Sequence, residues 1–271
     1  MRLNFSNLNV QGDDAPSKSK GVSNRGLNFK TNVSELALLG EYDLLDAETY
    51  NLVPYVFGGL AVYHFNPKPL HPISGNVTFN GYTTYLSGDV DLHSLGTEGQ
   101  YISGVPGVKG NYSGKVYNLT QLNVQLGAGV RYKISDDVAI GLEVNLRKLF
   151  TDYLDDVSGP RYVTPSDWKA AEDYYYSLGA AGKAKLDNTL KAEAYSYRGN
   201  QSAYFYSTKT GELNQAALNF PRGNPNNTDS YYSFQLRMSF RINSIGGPDG
   251  YLFSTEHLNG RKQLKCAGNV Y

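Results

Sequence analysis

Apolar and polar positions alternate in two successive runs over residues 119–159. Leu122, Val124, Leu126, Ala128, Val130 and Tyr132 alternate with Asn123, Gln125, Gly127, Gly129 and Arg131, the period of two of a strand with one apolar face. After Ile134, Ser135, Asp136 and Asp137 the pattern resumes. Ile140, Leu142, Val144 and Leu146 then face one way and Gly141, Glu143, Asn145 and Arg147 the other, so the stretch predicts a hairpin with a tight turn. Each arm reaches the ~9–11 residues that a tilted strand needs to cross a bilayer, against the ~5–6 usual in soluble domains. The glycines lie on the charged face. A soluble ligand-binding barrel turns its charged face to water and has no need of glycine there, whereas a narrow polar lumen needs small residues beside large charged ones. The expectation is an all-β fold, an antiparallel transmembrane β-barrel.

The remaining chain reads in the same terms. Residues 2–9 begin as a strand with Leu3 and Phe5 on one face and lose phase at Leu8; residues 12–26 are a polar loop rich in Ser, Gly and Lys. Residues 27–45 form a second strand, Leu36, Leu38, Tyr42 and Leu44 opposite Glu35, Ala37, Glu41 and Asp43. A short turn leads to residues 52–65, apolar on both faces and of open phase. Within the long loop 66–118, residues 75–87 suggest a small hairpin about the favoured turn pair Asn80-Gly81. A second long excursion, 160–229, carries the clearest helical signal: Thr164 as cap, Pro165 at the first position, Asp167 in the first turn. A weaker helix signal spans 183–194. The last strand, 231–242, sets Tyr232, Phe234, Leu236, Met238, Phe240 and Ile242 against Ser233, Gln235, Arg237, Ser239 and Arg241.

About six strands are recognisable, joined by connections that alternate between long and short. Outer-membrane barrels do this because their outer loops are long and their periplasmic turns short. The domain expected is a barrel over residues 1–242 with a helical segment in a long outer loop, followed by a periplasmic tail over 243–271. Such barrels have an even number of strands starting at eight, so one further hairpin and an export signal are expected before residue 1.

Composition narrows the function classes. A net charge of +0 and a pI near 6.9 give no basic footprint for nucleic acid. The 23 Tyr and 29 Gly residues, with a mean hydropathy of -0.44, suit a thin apolar band with aromatic girdles and polar loops. No run approaches the ~18 uninterrupted apolar residues of a membrane helix. Cys266 is the single cysteine and excludes an intrachain disulfide; with no His or Cys neighbours it does not read as a metal ligand. No cofactor is expected.

The candidate interior charges are Glu35, Glu41, Asp43 and Glu143 against Arg131, Arg147, Arg237 and Arg241. They suit a selective pore or a plug of ion pairs, and the balanced signs favour the plug, because an unpaired charge there is costly. Asp152, Asp155 and Asp156 form an acidic cluster after the fifth strand. Calcium loops space their ligands more regularly and use a distal Glu, so the cluster reads as a loop anchored by side-chain to backbone hydrogen bonds. Glu98, in LGTEGQ, reads as an isolated acid on a glycine-flanked turn. His64, His71, His93 and His257 are scattered, and none lies near a Ser or Cys in a nucleophile setting. His64, near the outer end of its strand, leaves a rim-located enzyme as a minor alternative. The expectation is a non-enzyme.

Three segments, LGTEGQ leading to LTQL (95–100 and 119–122), RKLFTDYLDDVSG (147–159) and RGNPNN (222–227), together with VPYVFGGLAVYHFNPK (53–68), carry a resemblance. They resemble the PorG-like outer-membrane barrel proteins of the type IX secretion system and its gliding-motility relatives. The resemblance runs from Arg2 to Ile242, and FTDYLDDVSG is its most specific part. It implies eight strands in the full-length family and location in the outer membrane of a Gram-negative bacterium. It also implies contact with a periplasmic ring of PorK-like lipoprotein and PorN-like protein, with outer-membrane lipid as the other partner. A stand-alone structural or passive small-solute barrel is the alternative.

Overall fold

The computed structural model describes residues 1–17, 27–112, 116–197 and 222–240. The strands are β1 (Arg2–Asp13), β2 (Asn28–Asp43), β3 (Leu52–Lys68), β4 (Ser74–Phe79), β5 (Tyr82–Ser87), β6 (Thr120–Lys133), β7 (Val138–Leu149) and β8 (Ser230–Phe240). The helices are α1 (Leu92–Leu95), α2 (Pro165–Ser177) and α3 (Lys183–Ser196). Six strands make one sheet in the order β1-β2-β3-β6-β7-β8, and β4 pairs with β5 separately. The protein is thus all-β in class, mostly antiparallel, with few helices. No helix among the described residues is long and apolar enough to cross a membrane, which says nothing against crossing by strands.

The chain divides into two compact units. Of the described residues, the first holds 1–17, 27–40, 58–112, 116–125, 146–197 and 222–231; the second holds 41–57, 126–145 and 232–240. The division cuts across the long strands. The predicted tail, Arg241, Ile242, His257 and Cys266 lie outside the described residues.

Each unit shows that the sheet curls. In the first, Arg147 of β7 donates to Glu35 of β2 at 2.9 Å. Three strand spacings separate them in the sheet order, ~14 Å if it were flat. In the second, Arg237 of β8 reaches Glu41 of β2, four spacings away, also at 2.9 Å. Only a sheet bent around its polar face brings these pairs together.

Two phase questions are settled by burial. In β1 the side chains alternate without a slip from Arg2 to Gly12, paired throughout with β2, Phe5 opposite Leu36 and Leu8 opposite Val33. The phase read from sequence breaks at Leu8 because the polarity of the two faces exchanges there, while the backbone continues two residues into the predicted loop. In β3 the inward residues are Val53, Tyr55, Phe57, Ala61, Tyr63 and Phe65, and Leu52, Val56, Leu60 and Val62 point outward. An inner face built from aromatic rings hides the phase.

The connections follow local chemistry. Asn80 and Gly81 both take positive φ, 46 and 80°, as a two-residue hairpin turn requires. Thr164 accepts from the Asp167 N–H and Pro165 opens α2. Helix α1, only four residues long, is too short to leave a periodicity in the sequence. In the first unit an apolar cluster joins Leu86, Leu92, Ile102, Trp168, Leu190 and Tyr195, so β5 and all three helices share one core. A second cluster gathers Val33, Tyr63, Phe65, Tyr117, Leu149 and Leu154.

Candidate functional site

The interior of the second unit is a connected set of charges. Arg131 donates to Glu41 at 2.8 Å and to both oxygens of Asp43 at 2.7 Å, with its guanidinium 5.2 Å from the centre of the Tyr55 ring. Arg237 links Glu41 to Glu143, at 2.9 and 3.1 Å, and Tyr55 donates to Glu143 at 2.6 Å. A Cβ on Gly127 would run into the Phe57 ring, and one on Gly129 into the Tyr55 ring. The glycines on the charged face therefore make room for aromatic rings from β3 rather than for the charges alone.

The first unit holds the most buried pair. Arg147 and Glu35 both have fully buried side chains. Glu35 also accepts from Ser6 and Asn123, each at 2.9 Å, and Arg147 lies 5.3 Å from the Tyr231 ring centre. These bonds are what make a charge tolerable away from water. Above them Tyr63, Phe65, Tyr117 and Tyr153 stack in sequence, with centroid separations of 5.5, 6.0 and 4.4 Å.

Glu98 is not the isolated surface acid that its sequence setting suggests. Gly96 and Gly99, at φ 71 and 82°, turn the chain so that the Glu98 side chain is buried. It accepts from the Ser158 and Gly159 N–H groups at 3.0 and 2.8 Å and pairs with the buried Arg222. Arg222 donates also to Thr97, whose hydroxyl donates to Asp156 at 2.6 Å; Tyr117 donates to the other Asp156 oxygen at 2.9 Å. Three distant loops thus meet at one junction.

The three aspartates predicted as a cluster take separate positions. Asp156 is buried in the junction and adopts φ 66°, a strained backbone for a non-glycine residue. Asp155 accepts from the Val157 N–H, a local turn bond, and borders a pocket of about 190 Å³ with Asp13 and Asp14. Burial first, and then the nearby Asp229 carboxylate, push the Asp152 carboxyl up to about 7. Asp229 accepts from the Leu154 N–H at 3.0 Å, and burial raises its own pKa. Among the described residues no three His, Cys, Asp or Glu side chains are grouped to hold a metal ion.

The described histidines lie apart. His64 bonds Thr120 on the outer face, His71 meets Asp13, and His93 contacts the Tyr117 carbonyl. Arg222, Tyr117 and Asp229 escaped sequence reasoning because each lies in an aperiodic loop and bonds a partner far along the chain: Glu98, Asp156 and Leu154 lie 124, 39 and 75 residues away.

Comparison with known families adds one match. Residues 1–84 match the family described as Domain of unknown function (DUF6089). The match covers β1 to β4 and the start of β5. No curated protein and no solved structure matches the chain.

Proposed function

We propose that the protein is a non-enzymatic outer-membrane barrel component of the type IX secretion and gliding machinery, contacting the machine's periplasmic PorK-like lipoprotein and PorN-like ring. The observation that carries the membrane part is inverted polarity. Leu236 and Phe234 of β8 are 80% and 75% exposed, and Leu3, Phe5, Leu60, Leu126 and Leu142 are exposed with them, while Glu35, Glu143 and Arg147 are buried. In water this arrangement would expose a large apolar surface and bury charge at a cost; in lipid both faces are matched to their surroundings. An open sheet edge does not persist in lipid, so the reading requires that the edges at β1 and β8 be covered, as the closed barrel of the resemblance implies.

The partner part is supported by the resemblance. The filled interior supports a structural role over passive diffusion, since ion pairs in one unit and stacked aromatics in the other occupy the space a solute would need. Affinity purification from the native envelope in mild detergent tests the proposal. Recovery of a lipoprotein ring supports it. Recovery of the barrel alone, under conditions where the ring survives, transfers the reading to a stand-alone barrel.

A further inference from the structure

The six long strands of the main sheet share a feature that the membrane reading alone does not require. Their outward faces are apolar along part of their length and then become polar, and on each strand the change falls between successive outward positions. It lies between Phe5 and Asn7 on β1, Leu36 and Ser34 on β2, and Val62 and His64 on β3. On β6 it lies between Leu122 and Thr120, on β7 between Leu146 and Lys148, and on β8 between Tyr232 and Ser230. The polar side is continuous between neighbours: Asn7 donates to Ser34, Asn9 to Asn32, and His64 bonds Thr120.

On β1, β2 and β7 the inward faces change at the same level, in the opposite sense, while β3 keeps an apolar inner face and β6 a polar one along their whole length. On β1 the polar Ser6, bonded to Glu35, is followed by Leu8 and Val10, which pack against the second apolar cluster. On β2 Glu35 gives way to Val33, and on β7 Arg147 gives way to Leu149, both members of that cluster. Two faces exchanging polarity at one level mean that the surroundings change there. Below the line the sheet is built for lipid outside, with ion pairs and the rings of β3 inside; above it, for water outside and an apolar core inside. Phe150, exposed one outward step beyond Lys148, departs from the pattern, and an aromatic ring at that level suits the headgroup zone.

We infer that the line through Asn7, Ser34, His64, Thr120, Lys148 and Ser230 is where the sheet leaves the lipid, and that the strand ends beyond it stand in water as the wall of a soluble-type cap. The partner of the lower face is the acyl region of a bilayer; the upper face has no lipid partner. The inference rests on the membrane reading.

The test places single cysteines along the outward faces of the full chain, with Cys266→Ser as background. Asn9→Cys and Asn32→Cys report above the line; Leu38→Cys, Leu60→Cys and Leu142→Cys report below it. Each is labelled with an environment-sensitive fluorophore and reconstituted in phosphatidylcholine vesicles with and without brominated acyl chains. Loss of most of the fluorescence at the three lower sites, with none at Asn9 and Asn32, is the expected result. Equal quenching above and below overturns the inference and leaves the membrane reading intact. Quenching at no site overturns both. Heat-modifiable migration checks that each variant folds, and Leu36→Cys or Gln11→Cys replaces one that does not.

Discussion

The helical cap of the first unit and the strand interior of the second are built from the same residue types placed on opposite sides. In the cap, Leu92, Ile102, Trp168 and Leu190 are buried. In the second unit, Leu126, Leu142 and Phe234 are exposed, and Arg131, Arg237, Glu41 and Glu143 turn inward. The apolar surface of the cap is removed from water by packing, whereas that of the second unit stays exposed, which in the proposed membrane reading is contact with lipid. The contrast teaches that apolar residues go wherever water is absent, and that the inside of a protein is only one such place.

The largest expected effect sharpens this contrast at the buried pair. Arg147→Met leaves Glu35 uncompensated and should cost about 3–5 kcal/mol of stability, read by urea unfolding in detergent through heat-modifiable migration. Arg131→Leu, whose partners Glu41 and Asp43 keep some contact with water at 13 and 15% exposure, should cost less, about 1–2 kcal/mol. Adding Glu35→Gln to Arg147→Met should recover most of the loss. An unrecovered double variant would show that the loss comes from packing rather than stranded charge.

Next in size is Gly127→Val, which drives a side chain into the Phe57 ring and should cost about 1–3 kcal/mol by the same measurement. A neutral result would remove the claim that glycine makes room for the rings of β3.

The cap is separately addressable, because Trp168 is the one tryptophan of the chain and lies wholly in its core. Asp152, raised to about 7 from an ordinary 3.8, binds its proton more tightly folded than unfolded. Stability from this group is therefore fully present below pH ~3.8 and is lost as pH rises toward 7. Asp152→Asn should flatten that loss, on the order of 1–2 kcal/mol, in Trp168-monitored unfolding at pH 5 and pH 8. A slope unchanged by the substitution would assign the pH dependence elsewhere.

The smallest effect concerns α2 and α3. Burial first, and then the Glu193 carboxylate, raise the Glu172 pKa well above its ordinary 4.5. Its contribution to stability again falls as pH rises above that value, so Glu172→Gln should stabilise the cap at pH 8 by about 1 kcal/mol and do little at pH 4. Destabilisation at pH 8 would mean that the acid's hydrogen bond outweighs its burial cost. By contrast Asp167, despite burial acting the other way, is held below its ordinary value by the Lys109 N–H and the Tyr112 hydroxyl.

What could be read in advance was whatever obeys a local period. The arms of β6 and β7, the last strand, the Asn80-Gly81 turn and the Thr164-Pro165 helix start are each written within a few consecutive residues, because alternation, turn chemistry and capping are local effects. The inward side of Glu35, Glu41, Asp43, Arg131, Glu143, Arg147 and Arg237 was likewise legible as one face of each strand. Which charge meets which was not: Glu35 finds Arg147 across 112 residues of chain, and only the curl of the sheet selects that partner. The same holds for Glu98, whose glycine-flanked turn gave no hint of Arg222, and for Leu8, where an unbroken strand looked like a lost phase. By itself the sequence determined where the backbone extends, turns and coils; the tertiary structure decided what surrounds each face, because burial is a property of distant segments brought together.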